Sequence, residues 1–327
     1  MTKAADFRVH LNLLLSEHVM IIAKTAAGAF NHTDEYTAYA TLLNANFGDM
    51  DLLLSTAVGN TAATEIMRTR NAFDNDLVDY AIAVVIHDDA RAKSDIQKLN
   101  SDVAPQLGAQ LSDATGAPSD KVQQSVADQA AADKTVIDDL FAQHFDAFYR
   151  DLNAAYSRSS ILGDVLASGV ASKFPDRFPG DPASHGADVR LAAAQSLQER
   201  SYLVTMFTGA VVAGRSGEVG SSSAALASNC SALTEAYSKD LAATCGLEVN
   251  AFTKYAGGDA STRDVILGQY VKQFAVLAGV DSPSVAAHES ALLRAVDDQR
   301  AKDFTALAPD DRAAATSVQP IADSVAT

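Results

Sequence analysis

The chain has 327 residues, 48% of them hydrophobic, and this length exceeds what one hydrophobic core usually serves. Its 41 acidic and 25 basic residues give a formal net charge of −16 at pH 7. A surface this acidic repels phosphate backbones and anionic membranes, which excludes nucleic-acid binding proteins. The composition therefore predicts two domains with well-solvated, acidic exteriors.

One stretch of sequence occurs twice. The residues around Glu17 and His18 reappear about 182 positions later around Glu199 and Arg200. This spacing predicts two related units that arose by internal duplication. The reactive side chains are not shared, because His18 is matched by Arg200. The repeat thus predicts an architecture and gives no indication of a common reaction.

Apolar residues in the first half recur every three or four positions, as they do in amphipathic helices. We predict helices over about 7–30, 34–58, 61–86, 96–111, 121–140 and 146–172. Gly59 is placed to end the second of these, and Pro118-Ser119-Asp120 to begin the fifth. Nothing in this half alternates with the period of two that a strand requires, so the first half is predicted to be all-helical.

A Pro-rich segment separates the two halves. Residues 174–186 hold three of the eight prolines and cannot form a helix. We therefore predict a helical bundle over 1–173, a linker over 174–187 and a second, shortened bundle over 188–327. The predicted helices of the second bundle cover 189–212, 222–243, 262–278 and 285–303, followed by a closing helix to Thr327. The predicted fold class is all-α, with two tandem ferritin-like or helical-bundle domains.

Several short motifs resemble a family of predicted secreted, all-helical proteins from Gram-positive-type bacteria and Chloroflexota. The motifs span Leu14–Val19, Leu43–Asn46, Val78–Tyr80 and Ala167–Phe178, the last closing in Phe-Pro-Asp-Arg-Phe. The resemblance covers the first half from end to end and is weaker in the second half. It implies an all-helical fold and a location outside the cytoplasm.

Members of that family place several histidines on inward helix faces, which implies a metal or cofactor site in the bundle. Here Phe73 and Arg158 stand where two of those histidines would be, while His18 remains in the first half and His288 in the second. We consider His18 and His288 as candidate metal ligands. The alternative is a structural one, either a polar pair at the edge of the core or a helix–helix hydrogen bond, because adjacent helix residues such as Glu17 and His18 lie about 100° apart.

Enzyme signatures are absent from the sequence. A di-iron centre in a helical bundle needs Glu-x-x-His pairs, and the chain contains none. His-x-x-x-His and Cys-x-x-Cys, which would indicate zinc or redox sites, are also missing. We therefore predict a protein without enzymatic activity and without a cofactor.

Cys230 and Cys245 are the only cysteines. On one straight helix they would lie about 22 Å apart, too far for a disulfide. The second half is shorter here than the first, which indicates that the helix turns back near Tyr237 to Lys239 and brings the cysteines together. A disulfide between them is predicted, which suits a protein outside the cytoplasm, and two buried thiols are the alternative.

The sequence favours a structural or interaction protein of the cell exterior, such as a self-assembling surface or filament subunit. Its expected partner is itself or another cell-envelope protein. A helical-bundle protein that stores or senses metal is the alternative. Residues 1–6 do not resemble a signal peptide, and no apolar run reaches 18 residues. We therefore expect no membrane span and a mature extracellular or cell-surface chain, with a cytoplasmic protein as the alternative.

Overall fold

The computed structural model describes residues 2–324, and within them the chain is helical without any strand. It divides into two compact units, Met1–Ala187 and Asp188–Thr327. We call these unit 1 and unit 2. The all-α fold class predicted from the sequence is confirmed for the described residues.

Unit 1 is built around its first helix. The helices are α1 (Lys3–Phe30), α2 (Glu35–Val58), α3 (Asn60–Val85), α4 (Asp89–Lys98), α5 (Ala104–Thr115), α6 (Ser119–Phe141) and α7 (Phe145–Lys173). Helix α1 packs against α2, α3, α6 and α7. Because it has neighbours on several sides, even its polar residues Asn12, Ser16 and Glu17 are buried.

By length and hydropathy, α1 is also the one helix of the described chain that could cross a membrane. In unit 1, 78% of its most apolar stretch of 18 residues is buried inside the protein. The central helix of a folded bundle meets the same length and hydropathy criteria as a membrane helix.

A π-helical turn, Leu99–Val103, connects α4 to α5. The buried apolar residues of this region recur every four positions, at Leu99, Val103, Leu107 and Leu111. An α-helix has 3.6 residues per turn, so a strict spacing of four would rotate this stripe away from the core. One wider turn compensates for that rotation and keeps the stripe buried.

Unit 2 follows a similar order of helices. They are α8 (His185–Val212), α9 (Ser216–Tyr237), α10 (Ala242–Ala256), α11 (Thr262–Asp264), α12 (Val271–Ala278), α13 (Ser282–Ala301), α14 (Phe304–Thr316) and α15 (Gln319–Asp323). A π-helical turn, Val265–Tyr270, again precedes the short helix α12. It too carries apolar residues at a spacing of four, since Ile266, Tyr270 and Phe274 are all buried.

Several helix boundaries differ from the predicted ones. Helix α8 begins at His185, inside the predicted linker, and α13 begins at Ser282 and ends at Ala301. The predicted helix over 222–243 begins earlier, at Ser216, and ends at Tyr237, because Ser238 takes a left-handed conformation with φ of 51°. The chain then turns back and enters α10 at Ala242. The predicted single closing helix is divided into α14 and α15 by a turn at 317–318, and its predicted end at Thr327 lies outside the described residues.

The Pro-rich segment 174–187 packs on unit 1. Phe178 lies edge-to-face against Phe7, with ring centroids 5.2 Å apart. The carbonyl oxygen of Pro179 accepts a hydrogen bond from the Ala4 amide at 3.4 Å. Arg8 donates to the carbonyl oxygen of Pro182 at 3.2 Å. The segment predicted as a linker thus contributes to the compact body of unit 1.

Candidate functional site

A cluster of buried polar side chains joins α1, α2 and α3 in unit 1. His18 is fully buried, and its Nε2 lies 3.0 Å from Oδ1 of Asp74, while its Nδ1 lies 3.3 Å from Oδ1 of Asn46. The Asn46 amide donates to Oε2 of Glu17 at 2.7 Å and to the carbonyl oxygen of Leu14 at 3.1 Å. These two acceptors fix the orientation of the amide.

Burial lowers the pKa of His18, and the nearby Arg70 guanidinium lowers it further. The ring is therefore neutral at pH 7 and donates its one proton from Nε2 to Asp74. Its Nδ1 then faces the Asn46 oxygen without a proton, in keeping with the longer separation of 3.3 Å. A neutral ring has one proton, so it donates to only one of these two oxygens, and Nδ1 makes no hydrogen bond with Asn46 in this tautomer.

A second group of polar side chains extends this cluster to α6. Arg70 Nε lies 3.4 Å from Oδ1 of Asp74, and its guanidinium sits 5.1 Å from the centre of the Phe73 ring. On α6, Gln129 donates to Oδ1 of Asp133 at 2.7 Å. Burial raises the pKa of Asp133 to about 7, although the Gln129 bond and Arg70 both oppose that rise. Asp133 is therefore the group of this cluster that titrates near neutrality.

The interior beside this cluster holds little space. A small cavity of about 10 Å³ lies between α1, α2, α3 and α6, and its lining includes Ile22, Ala26, Leu77 and Ile137. That volume corresponds to about one water molecule, and the lining is almost entirely apolar. The cavity is too small for an organic substrate.

Unit 2 contains a corresponding polar cluster. Arg200 on α8 is 1% exposed and donates from Nε to Oε2 of Glu248 on α10 at 2.7 Å. Its Nη1 lies 3.3 Å from Oδ1 of Asn229 on α9. The Asn229 amide donates to Oε2 of Glu199 and to the carbonyl oxygen of Ser196, both at 2.9 Å. An arginine here occupies the position that a histidine has in unit 1.

A second carboxylate lies near this arginine. Glu289 on α13 is fully buried, and burial raises its pKa well above the usual value, with the charge of Glu248 adding to the rise and Arg200 opposing it. Neither of its carboxyl oxygens has a hydrogen-bond partner among the described residues. The burial that raises the pKa of Glu289 favours its neutral form, and Arg200 and Glu248 neutralise each other as an ion pair.

An ion pair on the outer side of the first helix recurs in each unit. In unit 1, Arg8 Nε lies 2.6 Å from Oδ1 of Asp164 on α7. In unit 2, Arg190 on α8 pairs in the same way with Asp323 on α15. Both arginines are largely buried, with 9% of the side chain exposed, whereas both carboxylates are about half exposed. Each pair fastens the last described helix of its unit to the first.

The two candidate metal ligands lie in separate units. In unit 2, Nδ1 of His288 lies 3.0 Å from the hydroxyl of Ser317 and 3.1 Å from the carbonyl oxygen of Ala314, and burial lowers its pKa to about 4. No group of three or more His, Cys, Asp or Glu side chains in residues 2–324 is arranged to hold a metal ion. Metal binding by His18 or His288 thus rests on the sequence pattern alone.

Cys230 and Cys245 form a disulfide. The turn after Tyr237 makes α9 and α10 antiparallel neighbours, and the two Cα atoms lie 6.2 Å apart. Cys230 follows Asn229 directly, and Cys245 lies one helical turn before Glu248. The cross-link therefore joins the two helices beside the polar cluster of unit 2.

Comparison of the chain with family models, with curated proteins and with solved structures finds no significant match.

Proposed function

We propose that this chain is a non-enzymatic helical scaffold that acts as a structural or interaction protein at the cell exterior. The main observation behind the proposal is what the buried polar side chains bind. In both units they hydrogen-bond to one another between helices, and the small cavity beside the unit 1 cluster has an apolar lining. Such groups hold helices in register.

We further propose that the two units arose by duplication of one helical bundle. Glu17 and Asn46 are 29 positions apart, and Glu199 and Asn229 are 30 apart. In both units the asparagine amide also binds the backbone carbonyl three residues before the glutamate. Each unit also has a π-helical turn where buried apolar residues are four positions apart, and each has an arginine–aspartate pair. These features support the same relationship. Long helices packed around a central one favour a ferritin-like bundle as the ancestral form.

The proposed location outside the cytoplasm is supported by the disulfide. Cross-links between buried cysteines persist in oxidising compartments and are rare in the cytosol. The net charge of −16 suits a well-solvated protein surface.

The proposed mode of action is self-association, or association with another envelope protein, through apolar side chains on the helix surfaces. Leu52 on α2 is 67% exposed and Ile161 on α7 is 55% exposed. Like charges oppose the contact between two acidic copies, and salt screens that repulsion. Self-association is therefore expected to strengthen as the salt concentration rises.

Size-exclusion chromatography with light scattering tests this expectation across concentration and salt. We expect the mean mass to rise with both, and the Ile161→Lys variant to shift the rise to higher concentration. The matched change Thr41→Lys, on the exposed part of α2, serves as the control. A mass that stays at that of the monomer in every condition would exclude self-assembly.

A further inference from the structure

A cleft of about 500 Å³ opens on the surface of unit 1. It lies between the first turns of α1, the last turns of α2 and the segment 176–178 that follows α7. Its volume falls within the range of roughly 300–1,000 Å³ that is usual for small-molecule sites. The cleft is therefore large enough to hold a small organic ligand, unlike the cavity of about 10 Å³ in the interior.

The spacing of residues along α1 builds one wall of this cleft. Lys3, Phe7 and His10 are four and three positions apart, so they lie on one face of the helix. Leu53 of α2 and Phe178 of the segment after α7 line the cleft across from them. We call the space between these five residues the α1–α2 cleft.

The apolar part of the α1–α2 cleft is preformed. Phe7 and Phe178 are both buried, and their rings pack edge-to-face. The chain just after Phe178 is held against the start of α1, because a Cβ atom on Gly180, where φ is 98°, would lie 2.4 Å from the Thr2 side chain. A ligand would therefore meet a fixed apolar surface, which lowers the entropic cost of binding.

The rim of the cleft carries charges of both signs. Lys3 is exposed, and its side chain has no ion pair or hydrogen bond with any other residue in 2–324. Arg177 is held in place, because it donates to the carbonyl oxygen of Thr56 and its guanidinium lies 5.8 Å from the centre of the Phe178 ring. Asp176 is exposed and brings a carboxylate to the same rim.

These charges indicate the class of ligand. Two basic residues, Lys3 and Arg177, balance two acidic ones, Asp6 and Asp176, in a chain where acidic residues outnumber basic ones 41 to 25. A ligand with a charge of one sign would be opposed by half of the rim, whereas a zwitterion can pair with both halves. The buried phenylalanine rings in addition favour a ligand with an apolar side chain.

We propose that the α1–α2 cleft binds short zwitterionic peptides with apolar side chains. The peptide carboxylate pairs with Lys3, and the positive end of the α1 dipole adds to this attraction. The peptide ammonium pairs with Asp176, and the apolar side chains cover Phe7 and Leu53. A dipeptide or tripeptide keeps its two charges within one cleft and fills more of the volume than a single amino acid does. This binding role goes beyond the scaffold function proposed above and does not depend on it.

Isothermal titration calorimetry of the full chain with the dipeptide leucyl-phenylalanine tests the site. We expect saturable binding of one dipeptide per chain. Acetylation of its N-terminus or amidation of its C-terminus removes one charge, and each is expected to weaken binding about threefold or more. The same is expected of 3-phenylpropionate, which carries only a negative charge. If the blocked dipeptides bind as tightly as the free one, or if no saturable binding occurs, the proposal is wrong.

Variants of the chain assign the two ends of the peptide. Lys3→Glu is expected to weaken binding of the free dipeptide about tenfold, because it replaces an attraction by a repulsion, and not to weaken binding of the amidated form. Asp176→Asn is expected to weaken binding of the free dipeptide about threefold and to leave the acetylated form unchanged.

Matched controls for these variants lie in the first turn of α6. Lys121→Glu and Asp120→Asn change exposed residues of the same types and are expected to leave binding unchanged. All four substituted residues are exposed, so we expect each variant to keep the helical content of the unmodified chain, which circular dichroism measures. Equal effects of Lys3→Glu and Lys121→Glu on the free dipeptide would show that it does not bind in the α1–α2 cleft and would overturn the proposal.

Discussion

Replacing Asp133 by Asn should remove a pH-dependent loss of stability from unit 1. Asp133 is 2% exposed on α6, and burial raises its pKa from 3.8 to about 7. The folded state therefore binds a proton that the unfolded state has already released over this pH range. The free energy of unfolding must then fall as the pH rises from about 4 to about 7.

The change in the free energy of unfolding can be calculated from the pKa shift of Asp133. About three pKa units at 1.36 kcal/mol each correspond to about 4 kcal/mol between the two ends of this range. The Arg70 charge is already included, since it opposes the rise in pKa, and the neighbouring Asp74 charge supports it. Asparagine keeps an acceptor for Gln129 and does not titrate.

Urea denaturation of both proteins at a series of pH values measures the difference. We expect the stability of Asp133→Asn relative to the unmodified chain to rise by about 4 kcal/mol from pH 4 to pH 8. The control is Asp128→Asn on the same helix, where the side chain is 40% exposed and pairs with Arg158. If stability depends on pH in the same way in the unmodified chain and in Asp133→Asn, Asp133 is not a buried carboxyl group with a raised pKa.

Further changes test the packing of each unit. Reducing the Cys230–Cys245 disulfide opens a loop that restricts the unfolded chain, and because the cysteines are 15 residues apart, unit 2 should lose about 3 kcal/mol of stability. Thermal denaturation with and without reductant measures this loss, and an unchanged midpoint would contradict it. In unit 1, Gly28→Ala should destabilise by about 1–3 kcal/mol, because the new Cβ would lie 2.4 Å from the Tyr36 amide nitrogen. Gly48→Ala, in open space on α2, should instead stabilise by about 0.5–1 kcal/mol, and equal effects at the two glycines would contradict the close approach.

Much of the helical plan could be predicted from the sequence, because apolar periodicity and helix-ending residues are local signals. The end of α2 at Gly59 and the entry to α6 after Pro118 lie where those residues place them. The reversal near Tyr237 to Lys239 was predicted from the shorter second half, and the structure places it at Ser238, although serine is not a usual residue for the left-handed conformation. The spacing of four through Leu99 to Leu111 was visible, but only the structure shows that a π-helical turn accommodates it.

The candidate site was predicted only in part. Glu17 and His18 drew notice because they lie in the stretch of sequence that occurs twice, yet their partners Asn46 and Asp74 lie on other helices. Periodicity indicates which face of a helix is buried. It does not give the register between two helices that pack together but are distant in sequence. Polar residues at inward positions, such as Arg8, were the available signal for the remaining contacts.

The exchange of His18 for Arg200 bears on what the buried clusters do. A proton-transfer role common to both units would require a group that exchanges a proton near neutral pH in each, and a guanidinium holds its protons there. A role in joining helices requires only a hydrogen-bond donor that faces a carboxylate. Unit 2 meets that requirement with the longer Glu248 in place of Asp74, and the charge of this carboxylate balances that of Arg200. The interhelical hydrogen bonds common to both units therefore support the structural role proposed above.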